Sequence, residues 1–190
     1  MRRATESEEE GIREGLARHG VVAREVWVRP GEVVNAGAPV RGRMVVSEGF
    51  LTAPAWRQAA ILAHEAGHVR LRHTPWLVGA WAAGEALQMV ARLGLAPVML
   101  GRPAALAAGI AGVLLCQAGL FVGLCAQYRR LEFAADRWAV EHGGITGGGY
   151  MEHLALLPQP VARSFQDRLL ATHPSNERRI ERVRRRATAA

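Results

Sequence analysis

The chain of 190 residues contains no lysine, so arginine supplies all 24 of its strongly basic side chains and the formal net charge is +7. Its only two cysteines, Cys116 and Cys125, lie in one apolar stretch that is too stiff to bring them together, which excludes a fold built on disulfides. The N-terminal fifteen residues are acidic and lack an apolar core, so we expect neither a signal peptide nor a transit peptide. We therefore expect the N-terminus to stay in the compartment of its synthesis.

The arginines form three clusters, in residues 70–72, 129–137 and 178–186. Such clusters suit either nucleic acid or an anionic membrane surface. A chain of this length can build one domain with a substantial core, whereas two domains would be unusually small. We therefore predict one functional unit that spans residues 1–190.

The first part of the chain alternates between helical and strand patterns. Ser7 and Glu10 have the spacing of a capping box, and apolar residues recur at helical spacing until Gly20. Beyond this helix, β-branched runs between turn residues predict a small β-sheet with strands at 25–28, 33–36 and 44–47. A second helix, capped by Thr52, is predicted to run to His73.

The middle of the chain is different in kind, because residues 104–126 form an apolar run that only Gln117 interrupts. A helix of about 20 apolar residues crosses a hydrocarbon core, so this run predicts a transmembrane helix. After it the chain becomes polar and helical to about His142, followed by a glycine-rich loop that we expect to be flexible at residues 143–149. Two further helical pieces are predicted at 150–157 and 161–171.

Residues 76–100 are also long and mostly apolar, but they carry Glu85 and Arg92. Each charge is costly at bilayer depth unless it is paired or faces a neighbouring helix. The two residues are seven apart and therefore share one face of a helix, where they can pair. With a tight turn at 101–103, the two apolar segments predict an inserted membrane hairpin at 76–126; a hydrophobic core hairpin of a soluble protein is the alternative.

The chemical motif of the chain is HEAGH, an HExxH sequence at residues 64–68 on the second predicted helix. Residues at i and i+4 project from the same side of a helix, so His64 and His68 can bind one metal ion. Glu65 lies roughly 100° around the helix from His64, where it can reach water at the metal without being a ligand. This position is that of a general base.

A catalytic zinc ion needs a third protein ligand, and a second i, i+4 pair offers one. In the sequence EFAAD, Glu132 can supply a carboxylate to zinc while Asp136 orients a liganding histidine. The alternative is that both acids pair with neighbouring arginines on a solvated helix face. The predicted ligands are thus His64, His68 and Glu132, with Zn²⁺ as the cofactor.

These motifs resemble those of the M48 family of zinc peptidases, with HEAGH, EFAAD and then THPSNERRI in order along the chain. The likeness extends upstream to Asn35 and Ala36 and to residues 45–51, and it covers about residues 26–183. The resemblance implies a mainly α (α+β) fold, a zincin-type (gluzincin) catalytic domain with a small β-sheet and an inserted transmembrane helical hairpin. Within the family the chain resembles a reduced form of the HtpX-like members, with one membrane hairpin.

The resemblance also implies roles near the scissile bond for the histidine of the late His-Pro pair and for an arginine six residues on, which are His173 and Arg179. Either side chain could stabilise charge that develops in the transition state. The strand residues expected to pair with an extended substrate are Asn35, Ala36, Met44, Val45, Val46 and Ser47. His19, His73, His142 and His153 have no spacing partner and are interpreted as surface or core residues.

The sequence thus predicts a membrane-anchored zinc metalloendopeptidase that acts on proteins or peptides, contacts the lipid bilayer and has no nucleic-acid partner; it does not indicate an oligomeric state. Alternatives are a soluble peptidase acting on DNA-bound proteins, an M56-like sensor peptidase, and a non-enzymatic membrane regulator that retains a zinc site. The metal ligands flank the apolar stretch, so an even number of crossings separates them. Arginines flank the hairpin on the side that carries the predicted metal ligands. By the positive-inside rule, we therefore expect the active site in the cytoplasm.

Overall fold

The computed structural model describes residues 1–40, 42–99, 102–158 and 165–187, most of which are helical. In chain order the elements are β1 (Arg2–Arg3), α1 (Glu6–Ala17), β2 (Glu25–Arg29), β3 (Ala36–Val40), β4 (Arg43–Ser47), α2 (Glu48–Leu51), α3 (Ala55–Arg70), α4 (His73–Met99), α5 (Pro103–His142), α6 (Gly147–Ala155), α7 (Phe165–Leu170) and α8 (Asn176–Ala187). A mainly helical chain with a small sheet agrees with the predicted class.

The chain divides into two units. Unit 1 comprises Met1–Thr74, Arg130–Val161 and Pro174–Ala190, and unit 2 comprises Pro75–Arg129 and Ala162–His173. Unit 1 contains the sheet, the HEAGH helix and the EFAAD sequence. Unit 2 contains most of α4 and the apolar part of α5.

Helix α1 begins two residues earlier than the sequence pattern suggested, since its N-cap is Thr5 and not Ser7. Thr5 is its N-cap, and its hydroxyl and the Glu8 carboxylate form the capping box. Ser7 lies inside the first turn, so the predicted box with Glu10 was wrong. Both pairs fit the same spacing, but the Glu8 carboxylate also accepts a hydrogen bond from Arg2 at 2.8 Å, which favours the earlier start.

The four strands form one mixed sheet in the order β1-β2-β4-β3. Strand β4 pairs in parallel with β2 and antiparallel with β3, so both of its edges are hydrogen-bonded. The prediction that Met44–Ser47 pairs with substrate is therefore wrong for this strand, because no free edge is left on it. Strand β3 also differs from the expected 33–36: it continues through Pro39, which an edge strand tolerates.

Helix α3 lies between two groups of buried apolar residues. One face of α3 carries Ile61 and Leu62 into a core formed with α1 and the sheet. Another face carries Ala60 and Ala63 into a second core formed with α5, α6 and α8. Contacts on both sides fix the rotation of the HEAGH helix about its own axis.

One further predicted cap and one predicted loop differ from the structure. Ser47, not Thr52, caps the helix that follows the sheet, by accepting a hydrogen bond from Phe50 N at 3.1 Å. Thr52 ends α2, and α3 begins after Pro54. The expected flexible glycine loop is partly helical, since Thr146 caps α6 and its hydroxyl accepts from Gly149 N at 3.2 Å.

In unit 2, polar groups of the two long helices contact one another. Gln117 donates to Glu85 at 2.8 Å, while Arg92 donates to Gln117 at 3.5 Å and to Gln88 at 3.1 Å. Among the described residues one helix, Ala107–His142, is long and apolar enough to cross a membrane by length and composition. Part of the predicted turn, at residues 100 and 101, lies outside the described residues.

A substitution at Gly49 tests the packing between α2 and the loop before β3. A Cβ atom at Gly49 would lie 2.0 Å from the backbone oxygen of Glu32, which cannot move away as a side chain can. We expect Gly49→Ala to lower the free energy of unfolding by about 1–3 kcal/mol, as overpacking does. Thermal or urea unfolding followed by circular dichroism measures this.

Gly11→Ala is the matched control, because Gly11 lies within α1 and a Cβ there meets nothing within 4 Å. It should raise stability by about 0.5–1 kcal/mol, the usual gain of alanine over glycine in a helix. Equal stability of Gly49→Ala and the unchanged protein would show that the loop before β3 is not packed as described.

Candidate metal centre

The HEAGH helix and the EFAAD part of α5 approach closely at a glycine. A Cβ atom at Gly67 would lie 3.2 Å from both Cα and the carbonyl oxygen of Ala135. Ala135 follows Glu132 by three residues, so this contact places Glu132 opposite the two histidines of α3. Absence of a side chain at position 67 therefore lets the two predicted ligand sets meet.

The three predicted ligands do meet, and a nitrogen or oxygen atom of each lies within 4.8 Å of the other two. The Nε2 atoms of His64 and His68 are 3.1 Å apart, and they lie 3.5 Å and 3.3 Å from the two carboxylate oxygens of Glu132. A tetrahedral zinc ion with bonds of about 2.0–2.1 Å holds its ligand atoms about 3.3 Å apart. The donor set and its spacing therefore fit such an ion.

The other ring nitrogen of His64 faces a buried polar network. Asp136 Oδ1 lies 3.0 Å from His64 Nδ1, and the Tyr150 hydroxyl donates to the same oxygen at 2.8 Å. Asp136 and Tyr150 are 2% and 0% exposed. Burial and the adjacent Asp136 raise the pKa of Tyr150 well above its usual value, so the hydroxyl keeps its proton and remains a donor.

Arg179 contacts both carboxylates of this network. It donates from Nε to Asp136 Oδ2 at 2.8 Å and from Nη2 to Oδ1 at 2.5 Å, while Nη1 lies 3.6 Å from Glu132. The side chain is buried, and although burial lowers its pKa, the charge of Asp136 outweighs burial and raises the pKa. Arg179 therefore stays charged and offsets the two buried carboxylates.

His68 has a contact of its own on the side away from the other two predicted ligands. His73 Nδ1 lies 2.9 Å from His68 Nδ1, and the two rings meet edge to face with centroids 4.9 Å apart. His73 is buried, and burial together with the nearby His68 lowers its pKa to about 4. His73 is thus a core residue, one of the two interpretations that the sequence allowed, but it also contacts a predicted metal ligand.

The remaining predicted site residues lie in different places. Glu65 is half-buried on α3. Asn35 precedes the edge strand β3, and Ala36 is its first residue. His173 belongs to unit 2, where its ring contacts the Thr172 hydroxyl at 3.0 Å.

Sequence reasoning missed two residues of this centre, Tyr150 and His73. Tyr150 follows His64 by 86 residues, and no local pattern links them. His73 follows His68 by five residues, a spacing at which an unbroken helix would point the two rings about 140° apart. A predicted break in the helix before His73 could have indicated this contact, but the sequence pattern predicted a continuous helix to His73.

In a comparison with protein families, the family described as Peptidase family M48 matches residues 9–187. The match includes every residue of the metal centre. No curated protein and no solved structure matches the chain.

The protonation of His64 predicts how metal binding depends on pH. Burial lowers the pKa of His64, but Asp136 and Glu132 outweigh burial and raise it to about 10 in the metal-free protein. The proton must leave before a metal binds. Between pH 7 and about pH 10, Zn²⁺ binding should therefore release a proton from His64. Over this range the release should make the zinc affinity rise about tenfold for each unit by which the pH rises.

Calorimetry in buffers of different ionisation enthalpy measures this proton release directly. Asp136→Asn is the control, because it removes one of the two carboxylates that raise the pKa of His64, and it should reduce the proton release at pH 8. Zinc binding to the unchanged protein without proton release at pH 8 would contradict the charged state of His64.

Proposed function

Since the chain belongs to peptidase family M48, and is thus a metallopeptidase, we propose that it is a membrane-anchored zinc metalloendopeptidase. The observation that carries the proposal is the triangle of ligand atoms from His64, His68 and Glu132. Two imidazoles and one carboxylate are a donor set of catalytic zinc sites, in which a fourth position stays open. A structural zinc site has four protein ligands instead.

Zn²⁺ bound there would lower the pKa of water and polarise the substrate carbonyl. Glu65 is the residue that we propose as general base. It follows the ligand His64 directly on α3, and its carboxylate is not part of the ligand triangle. Glu65 takes a proton from the attacking water and passes it to the departing amine.

Asp136, Tyr150 and Arg179 hold the ligands in place. The Asp136 carboxylate fixes the orientation of the His64 ring and makes it a stronger ligand, as such partners commonly do. The resemblance implied that Arg179 stabilises transition-state charge; because it is buried against Asp136 and Glu132, we propose instead that it positions these two acids. The proposed part of His173 in stabilising transition-state charge rests on its position in the family motif.

We propose that the substrate binds along the edge of β3 that faces away from β4; strand β3 also contacts α3. Asn35 O accepts from Ser47 N at 2.9 Å, and Ala36 is the next residue along the strand. Because the direction of backbone groups alternates in an antiparallel pair, the N–H and C=O of Ala36 face away from β4. An extended peptide can add to this edge by main-chain hydrogen bonds.

Membrane anchoring is supported by the exposure of the apolar helix. Only 6% of the apolar 18-residue stretch in the Ala107–His142 helix is buried, whereas a core helix of a soluble protein would be mostly buried. Exposed side chains on it include Ile110, Leu115 and Phe121. These surfaces require lipid or another apolar cover.

We further propose that α4 is the second crossing. Its charged residues, Glu85 and Arg92, are joined through Gln117 of α5, which lowers the cost of placing them in a bilayer. Two crossings return the chain to the side on which it started. By the positive-inside rule, the arginine-rich flanks favour a metal centre on the cytoplasmic side.

Glu65→Gln tests the general base. The variant should retain zinc and fold, but its peptidase activity should fall by about 10²- to 10⁴-fold, because an amide cannot accept the proton. Activity on a quenched fluorescent peptide library and zinc content by mass spectrometry are the measurements. Glu10→Gln on the exposed side of α1 is the matched control and should leave both unchanged.

An active Glu65→Gln protein would overturn the assigned base. If instead the unchanged protein binds zinc but cleaves no protein or peptide, the regulator with a zinc site becomes the better description.

The membrane hairpin is tested by cysteine labelling in intact cells after Cys116 and Cys125 are replaced. A cysteine at Arg102, between α4 and α5, should react with an impermeant reagent from outside. A cysteine at Ser175 should react only after permeabilisation, because Ser175 lies on the side of the metal centre. Labelling of both positions from the same side would show that the hairpin does not cross.

A further inference from the structure

The connection between α3 and α4 brings His73 back onto the metal centre. Helix α3 ends at Arg70, Leu71 is its C-cap, and α4 begins at His73. Between them Arg72 adopts a left-handed backbone with φ of 54°. This conformation is unfavourable for a residue with a side chain, by roughly 1–2 kcal/mol. Without the break, the two histidine rings would point away from each other.

The contact with His73 is on the ring nitrogen of His68 that faces away from the ligand triangle. His68 Nε2 points at His64 and Glu132, and His68 Nδ1 points at His73. A neutral imidazole has one lone pair on one nitrogen and a hydrogen on the other. When Nε2 supplies its lone pair to a metal, Nδ1 carries the hydrogen and needs an acceptor.

We propose that His73 is a positioning residue that accepts this hydrogen bond and so aims His68 Nε2 at the metal; the inference rests on the zinc site proposed above. The two liganding histidines then have different partners. His64 has a carboxylate, Asp136, while His68 has a second imidazole. Such partners fix the ring and the tautomer of a ligand.

The test compares His73→Leu with His73→Asn. The carbonyl oxygen of asparagine can occupy about the position of the histidine Nδ1 atom and can accept the hydrogen bond, whereas leucine cannot accept one. We expect His73→Leu to weaken zinc affinity by about 10- to 100-fold, the usual effect of losing such a partner. His73→Asn should lie closer to the unchanged protein than to His73→Leu. Competition with a chromogenic chelator at fixed pH measures the affinities.

Two further measurements separate positioning from folding. The metal-free His73→Leu protein should unfold at or above the temperature of His73→Asn, because leucine suits a buried position better than the smaller polar asparagine does. Affinity and stability should therefore rank the two variants in opposite order. The visible spectrum of the Co²⁺-loaded protein, which reports ligand geometry, should change in His73→Leu and be restored in His73→Asn. His19→Leu serves as a control for loss of a histidine elsewhere.

Equal zinc affinity of His73→Leu and the unchanged protein would overturn the positioning role while leaving the zinc site intact. Equal losses in both variants, with affinity following stability, would also overturn it, since His73 would then act only through packing. Failure of the unchanged protein to bind zinc would instead remove the proposed function, and this inference with it.

Discussion

The close approach of α3 to α5 at Gly67 is the contact on which the rest of the site depends. With a Cβ atom only 3.2 Å from the backbone of Ala135, even alanine would push the two helices apart by tenths of an ångström. The oxygens of Glu132 on α5 lie 3.5 Å and 3.3 Å from the nitrogens of His64 and His68 on α3, so a shift of that size would lengthen the distances that a metal must span. The two cores around α3 supply the rigidity that keeps this contact in place.

Charge imposes the second constraint. Glu132 and Asp136 lie on one helix face and are both buried, which would be costly for two unpaired carboxylates. Arg179 lies against both, and Tyr150 adds a hydrogen bond to Asp136. The buried Arg179 and Tyr150 thus make it possible to keep two acids beside the histidines.

Local spacing predicted the parts of the site that depend on a single helix. His64 and His68 follow from the i, i+4 rule, and the second pair containing Glu132 follows in the same way. Tyr150 was not predictable, because its contact depends on how α6 packs against α3. His73 was missed because the sequence pattern continued the helix through a residue that adopts a left-handed backbone. Strand residues were located to within a few positions, but the pairing order that buries β4 is a tertiary property.

The order of the ligands along the chain has a consequence for synthesis. Glu132 follows His68 by 64 residues, and the segment between them includes α4 and the apolar part of α5. Proteins emerge from the ribosome N-terminus first, so both histidines are made well before Glu132. A nascent chain that has reached only α4 contains the two histidines but not the carboxylate of Glu132. The candidate metal centre can therefore be completed only after the apolar segments have been made.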